Sequence, residues 1–312
     1  MDLGYNTWYA LVGRVTTANS KNVFARFDRI PKSNDQLQLL GLLANVDLPA
    51  DLFPALRTKA DQPSAGSTDI VNVFGAVMAK TGNPEAADWI LAAWQREPQR
   101  QGLGKSLIEL GRRYFDEVAC FTNGTFLTPE LGRRLYDAGL SYVCYSRHAA
   151  DDEANRKLMG DGAPRVTEFI EAAGKLKVRA TCVMARGSVE DTAAVWDYIE
   201  ALRPFGITEF TFKHTYVAYE GSLFQGSTED NWAREHQVEF DPFGDEGEVF
   251  AALPWGPRIR RIRGVQACYY HEPTPQWELN NRICRSSNLL SDGSVYASLE
   301  DTSSLLFRLK HS

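Results

Sequence analysis

The sequence predicts an α/β protein: a partial (β/α)6 TIM-type barrel followed by a small α+β C-terminal extension. Short apolar runs that resemble strands alternate with helix-like segments of 10 to 14 residues as far as residue 212. Strands that alternate with helices in this way favour a parallel sheet with right-handed crossovers. Six such strand-helix units end near residue 215, which is fewer than the eight units of a complete barrel.

The first predicted element is an apolar run at residues 8–15, which we interpret as a strand. A helix is expected from residue 34, and a loop rich in Ser, Gly, Pro and Asp covers residues 59–68. Residues 70–78 are apolar and rich in β-branched side chains, so they are interpreted as the second strand. The turn TGNPE then opens a helix over residues 86–96.

The alternation is most regular between residues 103 and 212. Helices are predicted at 103–115, 129–138, 166–176 and 189–202, and strands at 117–121, 142–145, 178–184 and 209–212. Beyond His214 the chain becomes rich in loops, with short strands expected at 266–270, 289–290 and 295–298. The sequence therefore predicts a barrel domain over residues 1–215 and a C-terminal extension or cap over residues 216–312.

Composition and charge exclude several classes of function. The 312 residues carry a net charge of -6, which gives no sign of a surface for nucleic acid or an anionic membrane. No apolar run reaches the roughly 18 residues that a membrane span needs. The N-terminus lacks the basic start and apolar core of a signal peptide, so a cytoplasmic protein is expected. The five cysteines form no CxxC pair, so their spacing predicts no metal site.

The loop after the first predicted strand, residues 15–28, reads VTTANSKNVFARFD. It resembles the cluster loop of the radical SAM superfamily, in which three cysteines spaced four and three apart hold a [4Fe–4S] cluster. The corresponding positions here are Ala18, Asn22 and Ala25, and Phe24 stands at the family's aromatic position. Because Ala and Asn supply no thiolate, the resemblance implies a cluster-less member, and no [4Fe–4S] cluster is expected.

Three later stretches extend the resemblance over roughly residues 8–215. They are FTNGTFLT at 121–128, AGLSYVCYS at 138–146, and an acidic loop at 149–160 that ends in Leu-x-Gly. In the radical SAM family, similar stretches leave successive strands beside bound S-adenosylmethionine (SAM). The resemblance implies that Asn123, Ser146, Arg147 and Arg186 contact this cofactor.

The turn TGNPE at residues 81–85 resembles the family's Gly-Gly-Glu-Pro turn, which grips the amino group of SAM. The resemblance implies that Gly82, Asn83 and Glu85 bind the cofactor, and that Asn22 and Phe24 lie beside it. The acid and the proline are exchanged relative to the family pattern. An alternative remains open, in which the turn only opens a helix and Glu85 complements the helix dipole.

Basic residues follow three successive predicted strands, and they predict an electropositive rim that binds an anionic ligand. They are Arg147, His148, Arg186, Lys213 and His214. Glu85, His148 and His214 are the candidate catalytic bases. For Arg147 and His148, a solvated loop is the alternative interpretation.

The C-terminal segment resembles the tail of radical SAM members that bind a further cluster, but Ala297 stands where those tend to have cysteine. Tyr269, Tyr270, Trp255 and Trp277 are expected to form a small aromatic core or a lid. No P-loop, GxSxG, HExxH or GxGxxG spacing occurs in the chain.

Three hypotheses on function follow. The first is an enzyme that binds SAM and uses it in polar, non-radical chemistry, such as alkyl transfer or cyclisation on a small anionic substrate. The second is a non-catalytic partner or substrate-binding subunit of a radical SAM system. The third is a radical SAM enzyme whose cluster cysteines have been replaced deliberately in this sequence. The expected partners are a small molecule or peptide and, for the second hypothesis, another protein, with no nucleic acid and no membrane.

Overall fold

The computed structural model describes nine stretches of the chain, and these fall into two compact units. The described stretches are residues 14–30, 33–62, 68–96, 101–215, 225–226, 228–283, 285–290, 294–298 and 302–308. The first unit is formed by Met1–Val118 and Asp137–Gly139, and the second by Ala119–Tyr136 and Leu140–Lys310.

The described part of the first unit is helical. Its α-helices are α1 (Ser20–Phe24), α2 (Ser33–Leu43), α3 (Phe53–Ala60), α4 (Thr68–Lys80), α5 (Glu85–Arg96) and α6 (Gln101–Gly111). Apolar side chains from these helices form one buried cluster. Within it, the ring of Phe27 lies 5.7 Å from that of Phe24 and 5.8 Å from that of Phe74. The helices predicted from residue 34, at 86–96 and at 103–115 are confirmed.

The strand predicted at residues 70–78 is wrong, because this segment lies inside α4. Its fully buried side chains are Ile70, Phe74, Val77 and Met78. Their spacing of four, three and one follows the helical period and places them on one face. The β-branched residues of the run obscured this period. The strand predicted at 8–15 lies outside the described residues except for Arg14 and Val15, which belong to no helix or strand.

The second unit is built on a seven-stranded sheet in the order β1-β2-β3-β4-β7-β6-β5. The strands are β1 (Ala119–Thr122), β2 (Tyr142–Ser146), β3 (Val178–Val183), β4 (Glu209–Lys213), β5 (Glu248–Ala252), β6 (Arg258–Ile262) and β7 (Val265–Tyr270). The pairs β1–β2, β2–β3, β3–β4 and β4–β7 are parallel, whereas β6 and β5 add antiparallel pairs. This confirms an α/β protein with a mostly parallel sheet.

The sheet does not close into a barrel within the described residues, where β1 and β5 lie at its two edges and do not pair. The sheet also continues beyond residue 215, because β7 pairs with β4. The division into a barrel domain and a C-terminal extension at that residue stays a prediction. The short strands β8 (Asn288–Leu289), β9 (Ser294–Tyr296) and β10 (Leu305–Arg308) form a separate antiparallel sheet.

The described helices of the second unit are α7 (Pro129–Asp137), α8 (Asp152–Met159), α9 (Val166–Ala173), α10 (Thr192–Leu202), α11 (Thr228–His236) and α12 (Pro275–Asn281). Of these, α9 and α10 pack on one face of the large sheet. Tyr145 of β2 stacks on Phe169 of α9 with ring centroids 3.8 Å apart. Tyr198 of α10 meets Phe212 of β4 edge to face at 5.5 Å. None of the described helices is both long enough and apolar enough to span a membrane.

Helices α7 and α9 approach each other at Gly132, where an added Cβ would lie 2.0 Å from the carbonyl oxygen of Ala172. We therefore expect Gly132→Ala to lower the free energy of unfolding by about 1–3 kcal/mol, since the helices must separate to relieve the clash. Gly104→Ala, in α6, is the matched control, because an added Cβ meets nothing within 4 Å there. That change should stabilise the protein by about 0.5–1 kcal/mol through helix propensity. Urea unfolding measures both, and equal effects would contradict the close approach.

Candidate functional site

The large sheet has two faces of opposite chemistry. Successive side chains of a strand point to opposite faces; in β4 and β7 every second residue is polar or carries a thiol, and two residues of β3 continue this polar face. These residues are Arg179 and Thr181 in β3, Glu209, Thr211 and Lys213 in β4, and Gln266, Cys268 and Tyr270 in β7. The alternate residues, such as Ala180, Phe210, Phe212 and Ala267, are buried. One face is thus apolar and covered by helices, and the other is polar.

The polar face bears a cavity of about 410 Å³. Side chains from β1, β2, β3, β4, β6 and β7 line it. Phe121, Leu253 and Ile259 contribute apolar surface to a lining that is otherwise rich in charged, hydroxyl and thiol groups. This volume lies in the range of about 300–1,000 Å³ that is usual for small-molecule sites, so the cavity is the candidate site.

Arg179 and Glu209 form a compact charged group in the lining. The two side chains approach to 2.5 Å, and Glu209 also pairs with Lys177. The guanidinium of Arg179 lies 3.6 Å from the ring centroid of Tyr142, a cation–π contact. Glu209 is therefore held between two cations.

Lys213 is different, because its ammonium makes no hydrogen bond or ion pair within the described residues. It lines the cavity and lies 4.8 Å from the ring centroid of Tyr270. Burial lowers the pKa of Lys213, and the positive charge of Arg285 lowers it further, whereas Cys144 and Cys268 act in the opposite direction. A cation that is largely removed from water and has no carboxylate beside it is costly unless a ligand compensates it.

A hydrogen-bonded group surrounds Tyr270 beside Lys213. The Tyr270 hydroxyl donates to Glu272 at 3.0 Å and accepts from Arg285 at 3.2 Å. Arg285 also pairs with Glu272 and Glu278. Of the expected aromatic cluster, Trp255 lies 6.3 Å from the rings of both Tyr270 and Trp277. These contacts fix the ring over which Lys213 lies.

Arg147 and His148 follow β2 but are occupied by the protein itself. Arg147 is 1% exposed and donates to the carbonyls of Ala149 and Ala150, to the Tyr145 hydroxyl and to Asp152. The Nδ1 atom of His148 accepts a hydrogen bond from the Val183 N–H at 3.1 Å, and burial lowers its pKa. These contacts favour a structural function over ligand binding or proton abstraction.

His214 remains the best placed of the proposed bases. Its Nδ1 atom is buried and has no hydrogen-bond partner among the described residues. Burial is the main cause that lowers its pKa, and the neighbouring charge of Glu239 opposes this shift. The imidazole lies 6.4 Å from the ring of Tyr269, at the carboxyl ends of β4 and β7. A neutral His214 is therefore able to accept a proton.

The remaining predicted contacts of the second unit lie at strand ends. Asn123 follows β1 and its Oδ1 accepts from the Thr125 N–H, whereas Ser146 ends β2 and is partly exposed. Arg186 follows β3 and is exposed. Of these three, Asn123 and Ser146 combine polar groups with partial burial, which suits ligand contact.

The other predicted cofactor contacts lie in the first unit. Ala18, Asn22 and Ala25 are exposed at or beside α1, and Phe24 is 6% exposed in the apolar cluster. The Asn83 Oδ1 atom accepts from the Glu85 N–H at 2.9 Å, and Gly82 has φ +62°. This hydrogen bond and the backbone angle of Gly82 are typical of a turn that precedes a helix. A SAM site that joins these residues to the strand ends of the second unit stays a prediction.

From sequence, Lys213 was expected only in the rim and Tyr270 only in the aromatic core or lid, whereas Arg179 and Glu209 were not predicted as site residues. A signal was present, since Glu209, Thr211 and Lys213 alternate with phenylalanines along β4. In the described part of the chain, no group of three or more His, Cys, Asp or Glu side chains is arranged to hold a metal ion. Cys144 and Cys268 instead line the cavity with Lys213.

Comparison with protein-family models gave no match, and comparison with curated proteins found none that is significantly similar to this chain. The chemistry of the site must therefore be argued from its own residues. The two groups that matter most are the Lys213 ammonium and the charged pair of Arg179 and Glu209.

Arg147→Ala should lower the free energy of unfolding by about 3–5 kcal/mol, because it leaves the carbonyls of Ala149 and Ala150 without this donor and leaves Asp152 with only the Val166 N–H. Arg186→Ala is the matched control, since that side chain is exposed and its loss should change stability by no more than about 0.5 kcal/mol. Urea unfolding measures the difference. Two variants of equal stability would argue against the structural function of Arg147.

Lys213→Met should stabilise the protein at pH 7 by about 1 kcal/mol, because it removes a largely buried charge that has no ion pair among the described residues. The pKa of Lys213 is lowered in the folded state, so below that pKa both states are protonated and the penalty is complete. As pH rises through the folded pKa towards the unfolded value, the penalty disappears and the two proteins converge. Thermal unfolding between pH 6 and 10 tests this, with the exposed Lys157→Met as control. A Lys213→Met variant that is less stable at pH 7 would contradict it.

Proposed function

We propose that this protein binds a small acidic organic molecule in the cavity on the polar face of its sheet, and that it uses SAM in polar, non-radical chemistry on that molecule. The observation that carries the proposal is Lys213, a largely buried cation without an ion pair among the described residues, which lines a ligand-sized cavity. The cytoplasmic location expected from the sequence is part of the proposal and stays a prediction.

The charge of the lining supports an acidic ligand. Arg179 and Lys213 contribute two positive charges and Glu209 one negative charge, and Lys177 further compensates Glu209 from outside the lining. A carboxylate that enters the cavity therefore meets a net positive site and can pair with Lys213. Such a pair would offset the cost of burying the ammonium, because the attraction between the two charges is stronger in the cavity than in water.

Support for SAM comes from the sequence resemblance together with the residues at the strand ends. We propose that β1, β2, β3 and β4 correspond to four successive strands of a partial barrel of the radical SAM kind, in which the strand predicted at residues 70–78 is replaced by helix α4. Asn123 and Ser146 then offer a carboxamide and a hydroxyl at adjacent strand ends, which fit the polar groups of a nucleoside. When bound, SAM supplies an electrophilic carbon at its sulfonium, which requires only a positioned nucleophile and a dry site. His214, which follows Lys213 at the carboxyl end of β4 and lies outside the cavity lining, is the proposed base for a group bound at the strand ends.

A second candidate is a non-catalytic subunit that holds the acidic molecule for another protein. The observation that favours it is the turn at Asn83, whose side chain caps a helix instead of extending into a cavity. Both candidates require the cavity, and only the first requires a product derived from SAM.

The deliberate replacement of cluster cysteines remains the third hypothesis. Substituting cysteine for Ala18, Asn22 and Ala25 would test it, because the hypothesis expects a coloured iron–sulfur cluster to form.

We expect SAM to bind the purified protein with a micromolar Kd, about -8 kcal/mol, in a calorimetric titration. Asn123→Ala should weaken this binding by about tenfold, because it removes one or more hydrogen bonds to the ligand. Asn280→Ala, on the exposed helix α12, is the matched control and should leave the Kd unchanged. Analysis of the same mixtures, supplied with small carboxylic acids, should show S-adenosylhomocysteine or methylthioadenosine.

The outcomes separate the candidates. Binding without any product from SAM would favour the non-catalytic subunit. No heat with either SAM or S-adenosylhomocysteine would refute the SAM part of the proposal, while leaving the acidic cavity to be tested by itself.

A further inference from the structure

We propose that the ligand of the cavity carries an aldehyde or ketone group, and that the amine of Lys213 condenses with it to form a covalent imine. This inference rests on the proposed function for the location of the site, and it names the class of substrate: a small carbonyl compound that also bears an acid. It does not depend on SAM.

The geometry singles out Lys213 among the reactive groups of the lining. Its side chain leaves the carboxyl end of β4, and its nitrogen reaches the cavity 4.8 Å from the ring centroid of Tyr270. No carboxylate of the described residues pairs with it, so within this part of the chain no salt bridge has to break before it reacts. The ring of Tyr270 is itself fixed by hydrogen bonds to Glu272 and Arg285.

The charges around Lys213 favour its neutral, nucleophilic form. Burial and the charge of Arg285 lower its pKa, and only Cys144 and Cys268 oppose them. A lysine that is desolvated beside another cation is the usual arrangement of amines that form imines. The two cysteines do not compete, because burial raises the pKa of Cys144 and raises that of Cys268 to about 11. Both thiols therefore stay protonated at neutral pH.

The reaction balances without a co-reactant. The neutral Lys213 nitrogen attacks the carbonyl carbon and forms a C–N bond, while one proton passes from the nitrogen to the carbonyl oxygen. The resulting carbinolamine loses its hydroxyl together with the remaining nitrogen proton as water, which breaks the C–O bond and leaves the imine. Thr181 and Thr211 place hydroxyl groups in the same lining, where they can hydrogen-bond the departing oxygen.

Imine formation also suits the proposed function. When the imine takes up a proton from water, it carries a single positive charge, as the lysine ammonium does, so the cavity keeps its attraction for the acid of the substrate. The carbon next to an imine loses a proton far more readily than the carbon next to the free carbonyl. The condensation would thus provide the carbon nucleophile that polar alkyl transfer needs.

Reductive trapping tests the inference directly. The protein is incubated with pyruvate, glyoxylate or propanal, with and without sodium cyanoborohydride, and the modified peptide is identified by mass spectrometry. We expect one stable adduct on Lys213, with pyruvate or glyoxylate trapped faster than uncharged propanal. Lys213→Arg keeps the charge and removes the nucleophile, so the adduct should fall by at least about tenfold. Lys157→Met removes an exposed lysine and should leave the yield unchanged.

The pH dependence gives a second measurement. Because the pKa of Lys213 is lowered, its trapping rate should rise with pH at lower values than that of the exposed lysines. Circular dichroism should show that Lys213→Arg is folded.

The overturning results are specific. Equal labelling of the wild type and Lys213→Arg, or no Lys213 adduct with any of the three compounds, overturns the imine. If pyruvate binds Lys213→Arg as tightly as the wild type and neither is trapped, Lys213 is only a counter-ion. A trapped adduct without SAM binding would refute the SAM part of the proposed function and leave the imine standing.

Discussion

Packing of aromatic side chains on the covered face of the sheet sets the position of the β4 side chains in the cavity. Tyr198 is fully buried, with its ring 6.3 Å from Phe210 and 5.5 Å from Phe212, and its hydroxyl donates to the Arg147 carbonyl at 3.0 Å. With Phe210 and Phe212 fixed against the helices, the alternation of β4 places Glu209 and Lys213 on the other face. A slip of one residue would bury the lysine among the aromatic rings and expose those rings to solvent. The geometry of the site thus depends on aromatic packing on the opposite face of the sheet.

Two largely buried cations, Arg147 and Lys213, differ in how far the protein compensates their charge. Arg147 is surrounded by acceptors, which satisfy its guanidinium and leave it nothing further to bind. Lys213 has a ring beneath it and two thiols nearby, and no acceptor among the described residues. Burial costs both side chains their hydration, but only the second is left uncompensated. An uncompensated charge in a cavity is a common sign of a functional group, because a ligand can supply the opposite charge that the protein does not provide.

Much of the second unit could be predicted from sequence, because short apolar runs between turn residues define β1, β2, β3, β4 and β7. The first unit was harder. In α4 the valines that suggested a strand also fit a helix, and only the burial of Ile70, Phe74, Val77 and Met78 reveals the period. The inward orientation of Arg147 could not be predicted, because its acceptors are backbone carbonyls whose direction is set by the loop. An arginine after a strand has the same sequence signal whether it faces a ligand or the protein.

The cavity was missed for a physical reason as well. Parallel sheets are usually covered on both faces, so their strands are expected to be apolar throughout and their chemistry to lie at the strand ends. Strand β4 departs from this pattern, with Glu209, Thr211 and Lys213 alternating with Phe210 and Phe212. Such alternation within a parallel strand indicates a face that is left for a ligand.

The same alternation explains why the charge of the ligand matters. Two unit charges 4 Å apart interact by about 4 kcal/mol at an effective dielectric constant of 20, compared with about 1 kcal/mol in water. A carboxylate beside Lys213 would therefore gain more in the cavity than it could gain at the exposed Arg186. Glu209 does not cancel this attraction, since Lys177 and Arg179 already neutralise it. Because the proposed imine keeps one positive charge, an acidic substrate would stay bound through the condensation, whereas an uncharged carbonyl compound would have only its covalent bond to hold it.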